Sequence, residues 1–153
     1  MSLYKEQLRD LVSETLKEID LHSIHAENLI LGTIAQESGF GTYIKQLGNG
    51  PALGICQMEP NTFRDIIDNY LYYKPSLLGK IIQSCKASHI SPDYMVWNLR
   101  LSIIMCRIHY LRVPKPLPTD LSGYAKYYKQ YYNTYLGAGT EEEYISNYKK
   151  YVL

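Results

Sequence analysis

Apolar residues recur along most of this chain at spacings of three and four, which is the period of an α-helix. In the first part of the chain this pattern covers residues 3–20, 23–38, 60–74 and 77–85. Pro60 suits the first turn of its helix, because a proline there loses no backbone hydrogen bond. The pattern therefore predicts four helices before residue 86.

The second half of the chain shows three more segments with this period. Ser91 and Pro92 have the pattern of an N-cap followed by a first-turn proline, and they predict a helix that runs to about Arg112. This segment is apolar on most sides, which is typical of a buried central helix. Residues 113–118 contain three prolines at alternate positions, so an extended connection is expected there.

The last two predicted helices are rich in tyrosine. The first covers Asp120 to Tyr135 and ends before three small residues at 137–139. Thr140 and Glu143 then fit a capping box, so a final helix is expected to continue to about Tyr151.

Between the second and third helices lies the longest glycine-rich stretch of the chain, residues 39–58. Glycine and proline break regular structure, so this stretch is predicted to be a loop with at most a short β-hairpin, and a natural wall for a binding cleft. Together, the predicted helices and this loop indicate a mainly α fold of six to seven helices, in which residues 1–153 form a single domain.

The composition of the chain gives no support to two classes of function, nucleic-acid binding and membrane spanning. The chain has 153 residues, 46% of them hydrophobic and 20% charged, and a formal net charge of +1. No strong basic bias points to nucleic acid, and no apolar run approaches the roughly 18 residues of a membrane span. The three cysteines contain no CxxC pair, and they are expected to be buried thiols. The four histidines show no metal-ligand spacing, so neither a metal nor another cofactor is expected.

Glu37 is the candidate for chemistry. It continues the apolar face of the 23–38 helix, and Gly39 and Gly41 are expected to end that helix directly after it. Partial burial and the negative end of the helix dipole would both raise the pKa of this carboxyl, which suits a general acid. The alternative is a glutamate that points into solvent at a frayed helix end.

Three motifs in this order resemble those of the lytic transglycosylase and goose-type lysozyme superfamily. Residues 37–40, Glu-Ser-Gly-Phe, are similar to the family signature ES-x-F, and residues 52–60, Ala-Leu-Gly-Ile-Cys-Gln-Met-Glu-Pro, are similar to A-x-G-x-x-Q-x-x-P. Residues 132–139 resemble the Y-N-x-G element. The resemblance implies a lysozyme-like fold that cleaves the peptidoglycan glycan strand between N-acetylmuramic acid and N-acetylglucosamine, as phage-encoded lysis or virion-associated enzymes do.

The resemblance also implies roles for individual residues. Glu37 would be the catalytic acid and base, and Ser38 would hydrogen-bond its carboxyl or the acetamido group of the sugar. Gln57 would bind a sugar across the cleft, with Met58 beside it. The remaining implied ligands are Tyr132 and Asn133, which would hold the Glu37 carboxyl or the substrate, and a final tyrosine that is either Tyr148, which is preferred, or Tyr151.

A second carboxylate would distinguish between mechanisms. Glu59 and Asp65 are candidates only if the fold turns them toward the cleft. Without either, the expected route is substrate-assisted: Glu37 protonates the leaving oxygen, the neighbouring acetamido oxygen stabilises the cation, and Glu37 then acts as base. Attack by water gives hydrolysis, whereas attack by the sugar's own hydroxyl gives a 1,6-anhydro product.

Two other functions stay open at this level. One is a non-catalytic helical module that binds glycan or belongs to a virion, and the other is a DNA-binding domain that would use the lysines at 126, 129, 149 and 150. For the enzyme we expect a monomer whose partner is the peptidoglycan glycan strand. The charged, amphipathic residues 1–20 are unlike a secretory signal. We therefore expect synthesis in the cytoplasm and action on the bacterial cell wall after release by phage lysis machinery or delivery in the virion.

Overall fold

The computed structural model describes residues 1–133 and 137–153, and in these residues the chain forms seven α-helices. The mainly α fold predicted from the periodicity is therefore confirmed. The helices, numbered in chain order, are α1 (Lys5–Glu18), α2 (Ile24–Ser38), α3 (Pro60–Asn69), α4 (Pro75–Ser84), α5 (Leu99–Leu111), α6 (Leu121–Tyr128) and α7 (Glu141–Tyr151).

Two helices form the centre of the molecule. Helix α5 is buried along most of its length, as its uniformly apolar sequence predicts. Helix α2 is buried to a similar degree, and it packs against α1, α5, α6 and α7. Glu37 lies at the C-terminal end of this central helix.

One predicted helix, residues 91–112, is wrong at its start. Pro92–Val96 form a 3₁₀-helix, and α5 begins only at Leu99. Asn98 is the N-cap of α5, because its side-chain Oδ1 accepts a hydrogen bond of 3.1 Å from the Leu101 amide. A competing cap inside the apolar pattern therefore divides the predicted helix in two.

The helix predicted at residues 120–135 is α-helical only in its first part. The α-helical part ends at Tyr128, and Lys129–Asn133 continue as a π-helix. The rings of Tyr128 and Tyr132, on either side of this change, stack with their centroids 6.0 Å apart. The predicted end at Tyr135 lies outside the described residues.

The glycine-rich loop at 39–58 contains no continuous strand in the described chain. It is held by two isolated antiparallel bridges, from Lys45 to Leu53 and from Leu53 to Met58. These bridges take the place of the short hairpin that the sequence allowed, and they bring residues 52–58 back toward the end of α2.

Tyrosines fill much of the space between α2, α6 and α7. Gly32 makes this packing feasible, because a Cβ at this position would lie 2.0 Å from the Tyr144 hydroxyl oxygen. With glycine there, Tyr144 lies across α2 and donates a hydrogen bond of 3.0 Å to the Leu29 carbonyl. The tyrosine stripe is therefore mostly core, with its hydroxyls satisfied inside the protein.

Three further observations concern the predictions from composition. All three cysteines are free and buried, as expected. In the described part of the chain, no helix has both the length and the apolarity to cross a membrane. Across residues 1–133 and 137–153, no cluster of three or more His, Cys, Asp or Glu side chains is arranged as metal ligands.

Candidate active site

A cavity of about 480 Å³ lies where the end of α2 meets the glycine-rich loop, the start of α3 and the π-helical segment. Its size is within the range of small-molecule sites. Its described lining residues are Glu37, Tyr43, Gln46, Ala52, Gln57, Met58, Glu59, Thr62, His109, Tyr132, Asn133 and Gly137.

Glu37 lies in the wall of this cavity and does not extend into bulk water. Gly39 ends α2 in the left-handed conformation, at φ 57°, as its sequence position predicts. Burial raises the pKa of the Glu37 carboxyl from 4.5 to about 7, and a hydrogen bond from Tyr128 partly opposes this rise. The carboxyl therefore keeps a substantial protonated fraction near neutral pH, as a general acid requires.

Two tyrosines hold Glu37 in position. The Tyr128 hydroxyl donates to Glu37 Oε1 at 2.9 Å, and the Tyr43 hydroxyl donates to the Glu37 main-chain carbonyl at 2.7 Å. The second bond satisfies one of the carbonyls that a helix leaves free at its C-terminal end. Side chain and backbone of Glu37 are therefore both restrained.

Gln57 is placed by a strained turn. Its φ is 51°, which is uncommon for a residue with a side chain, and its Nε2 donates to the Gly54 carbonyl at 2.8 Å. This internal bond fixes the amide at the cavity wall. Gln57 and Met58 therefore lie in the same cavity as Glu37, as the second motif implies.

Tyr132 and Asn133 also line the cavity, but neither is recorded as a hydrogen-bond partner of Glu37. The Tyr132 hydroxyl donates to the Cys56 carbonyl at 2.6 Å, which ties the π-helical segment to the loop. Asn133 Oδ1 accepts from Lys129 Nζ at 2.8 Å. The carboxyl contact that was assigned to Tyr132 or Asn133 is made instead by Tyr128, which precedes the π turn.

Ser38 does not line the cavity, and its hydroxyl has no hydrogen bond to the Glu37 carboxyl in the described chain. It is fully buried; its hydroxyl donates to the Ile34 carbonyl at 3.2 Å and accepts from the Gly41 amide at 2.9 Å. These bonds stabilise the turn that follows α2. A serine at a helix end readily bonds to nearby backbone in this way.

The final tyrosine of the resemblance is not at the cavity either. Tyr148 is buried against Tyr124 and Tyr144, with ring centroids 6.3 and 6.4 Å away. Tyr151 stacks on Phe40 at 5.8 Å. Both rings belong to the packing of α7, and neither Tyr148, the preferred candidate, nor Tyr151 lines the cavity.

The two candidate second carboxylates are separated by the fold. Glu59 lines the cavity at the start of α3, whereas Asp65 forms an ion pair with Arg112 at 2.9 Å and is not a lining residue. Hydrogen bonds from Asn69 and Arg112 lower the pKa of Asp65. Of the two candidates, only Glu59 lines the cavity together with Glu37.

His109 is a lining residue that the sequence patterns do not reveal. Burial and the nearby Arg112 lower its pKa to about 4, so the imidazole is neutral at physiological pH. Its Nδ1 is buried without a hydrogen-bond partner among the described residues, and its ring meets Tyr132 edge-on at 5.1 Å. Only its place on a largely apolar helix could have drawn attention to it, and that place equally suits a core histidine.

Comparisons of the chain with protein-family models, with curated proteins and with solved structures find no match. Whatever is inferred about function therefore depends on the residues around this cavity and on the three short motifs.

Proposed function

We propose that this protein is a peptidoglycan-cleaving glycosidase, a lysozyme or lytic transglycosylase, with Glu37 as its catalytic acid and base. The observation that carries the proposal is the Glu37 carboxyl itself. It lies in the wall of a cavity, its pKa is about 7, and Gln57 and Asn133 line the same space. A glycosidic bond breaks when the leaving oxygen receives a proton, so this is the group that such a reaction needs.

The reaction would proceed as follows. Protonated Glu37 gives its proton to the bridging oxygen as the bond to the anomeric carbon breaks, and the amides of Gln57 and Asn133 hold the sugars on either side. The acetamido oxygen of the substrate stabilises the positive charge that develops. Glu37, now a carboxylate, then takes a proton from the group that attacks the anomeric carbon.

That attacking group decides between the two activities. If water attacks, the product is a hydrolysed strand, and if the C6 hydroxyl of the same sugar attacks, the product is a 1,6-anhydro sugar. Glu59 is the side chain that could activate a water from a second position, since two carboxyl groups flank the bond in most glycosidases. Loss of its charge in Glu59→Gln is expected to lower the rate only if the enzyme uses water activated in this way.

The proposal is tested by incubating purified peptidoglycan with wild type, Glu37→Gln and the matched surface control Glu142→Gln. We expect wild type and the control to clear the suspension and Glu37→Gln to lose at least about a thousandfold in rate while its helical circular dichroism stays unchanged. Mass spectrometry of the released muropeptides distinguishes the products, because the anhydro form is lighter by one water.

Two outcomes would contradict the proposal. A fully active Glu37→Gln protein would remove Glu37 from the chemistry. A wild-type protein that sediments with peptidoglycan but releases no muropeptide would instead support a non-catalytic glycan-binding module.

A further inference from the structure

A second group of aromatic side chains lies on the surface, outside the cavity. Trp97, the single tryptophan of the chain, has 63% of its surface exposed and contacts Tyr94, with ring centroids 4.8 Å apart. The Tyr94 hydroxyl shares a hydrogen bond of 2.8 Å with His89 Nε2. We refer to His89, Tyr94 and Trp97 as the aromatic platform.

The aromatic platform stands on backbone that is held firmly. Asn98, directly after Trp97, caps α5 through Oδ1 and donates from Nδ2 to the Cys85 carbonyl at 3.1 Å. On the other side, the Ser102 hydroxyl donates to the Met95 carbonyl at 2.8 Å. Trp97 is thus exposed on a well-supported segment, and its exposure is not that of a loose chain end.

The same segment is in direct contact with the loop that carries Gln57. A Cβ on Gly54 would lie 2.5 Å from the Met95 carbonyl oxygen, so the two backbones touch at this point. Gly54 also accepts the hydrogen bond that fixes the Gln57 amide at the cavity. Trp97 follows Met95 by two residues, so the Cα atoms of the two residues are at most about 7 Å apart.

We propose that the aromatic platform binds sugar rings of the same β-1,4-linked N-acetylhexosamine strand, beyond those held in the cavity. This inference rests on the proposed function. A sugar ring presents a face of C–H groups, which packs on an aromatic ring, and a rim of hydroxyls, which bonds to polar groups such as the Tyr94 hydroxyl and the His89 imidazole. The platform supplies both, and the 3₁₀-helix that carries Tyr94 packs on α3, whose Thr62 lines the cavity.

Because Trp97 is the only tryptophan, its fluorescence reports on this surface alone. Soluble glycan strands prepared from peptidoglycan are titrated into Glu37→Gln, which binds without turnover, and binding is measured in parallel by calorimetry. We expect the tryptophan emission to shift to the blue and to saturate at the same strand concentration as the heat.

A second measurement compares variants in the otherwise wild-type enzyme. Trp97→Ala is expected to raise KM for glycan strands about five- to tenfold with kcat unchanged, and Trp97→Phe is expected to restore most of the affinity. Tyr72→Ala removes another exposed aromatic side chain, from a different segment, and should leave KM as in wild type.

The inference is overturned if calorimetry detects strand binding while the emission of Trp97 does not change, or if Trp97→Ala and Tyr72→Ala have the same KM. It is also overturned if Trp97→Ala changes only the sedimentation of the protein, because the platform would then contact a second copy. If any of these results is found while wild type is active and Glu37→Gln is inactive, only this inference fails and the proposed function is still supported. Absence of any strand binding, together with full activity of Glu37→Gln, would remove both.

Discussion

The Tyr128 hydroxyl lies 2.9 Å from Glu37 Oε1 and donates a hydrogen bond to it, although 91 positions separate the two residues. Donation to a carboxylate favours the charged form, whereas burial of Glu37 disfavours it. Burial is the larger effect, and the pKa of Glu37 is about 7. This one contact therefore adjusts how much of the acid is protonated at neutral pH.

If the proposed glycosidase reaction uses Glu37 as its acid, removal of this contact should change the pH dependence of that reaction. In Tyr128→Phe the ring still packs on Tyr144, but the bond that lowers the Glu37 pKa is lost, so that pKa rises above its wild-type value of about 7. The alkaline limb of kcat/KM, which reports deprotonation of the acid, should move to higher pH. The rate at the optimum should fall about tenfold because the carboxyl is less well positioned.

The control for this experiment is Tyr132→Phe. Its hydroxyl donates to the Cys56 carbonyl and not to Glu37, so the alkaline limb should stay in place even if the overall rate falls. An alkaline limb that is identical in Tyr128→Phe and wild type would show that Glu37 is not the titrating acid.

A second prediction concerns the stability of the protein against pH. The pKa of Glu37 is about 7 in the folded protein and 4.5 as the reference value, so the folded state holds the proton more tightly between these pH values. Stability that Glu37 contributes is complete below pH 4.5 and is lost as the pH rises through 7. At pH 8, Glu37→Gln should be more stable to unfolding than wild type by about 2 to 3 kcal/mol.

Urea unfolding of both proteins at pH 4, 6 and 8 measures this difference. The contribution of His109 to stability depends on pH in the opposite direction, because its pKa is lowered to about 4. That contribution is lost as the pH falls from 6.5 through 4. Since His109 is present in both proteins, its effect cancels in the difference. A Glu37→Gln protein that is less stable than wild type at pH 8 would mean that the carboxyl is solvated.

Glu27 provides the contrasting case. Its carboxylate is buried, which alone would raise its pKa, but bonds from His22 at 2.8 Å and Arg9 at 2.7 Å outweigh burial and lower the pKa. Glu27→Gln should reduce the free energy of unfolding at pH 7 by about 2 kcal/mol, because Arg9 and His22 lose their charged partner. The loss should shrink as the pH falls below 4.5 toward the folded pKa, where wild type also becomes neutral. Thermal unfolding at pH 7 and pH 3 checks both statements, and an equal loss at both would indicate a packing effect.

Two glycines within helices should respond to alanine in opposite directions. In Gly32→Ala the new Cβ would meet the Tyr144 ring and hydroxyl at 2.0 to 3.0 Å, so we expect a loss of about 1 to 3 kcal/mol in stability. Gly79 in α4 has no atom within 4 Å of such a Cβ, so Gly79→Ala should gain up to about 1 kcal/mol through helix propensity. Denaturant unfolding of the two variants measures the pair. A stable Gly32→Ala protein would show that Tyr144 can move off α2 at little cost.

The periodicity of the sequence determined the helices and the loop at 39–58, because burial of an apolar face depends on spacing that is visible in the chain itself. It also placed Glu37 at the end of α2, since Gly39 ends a helix by local backbone preference. Burial as a cause of the raised Glu37 pKa followed from the same pattern. The predicted start of a helix was wrong where an N-cap residue lies inside an apolar segment, because Asn98 caps α5 within such a segment.

Tertiary structure decided which side chains meet in the cavity. Tyr128 and Tyr132 are four residues apart and their rings stack, but the Tyr128 hydroxyl contacts Glu37 whereas the Tyr132 hydroxyl contacts the loop. Ser38 and Tyr148 do not line the cavity, because Ser38 bonds to backbone and Tyr148 packs on other rings, and no motif specifies such contacts. Spacing along the chain sets the helices, but contacts across it depend on how those helices pack, and the chemistry of Glu37 depends on those contacts.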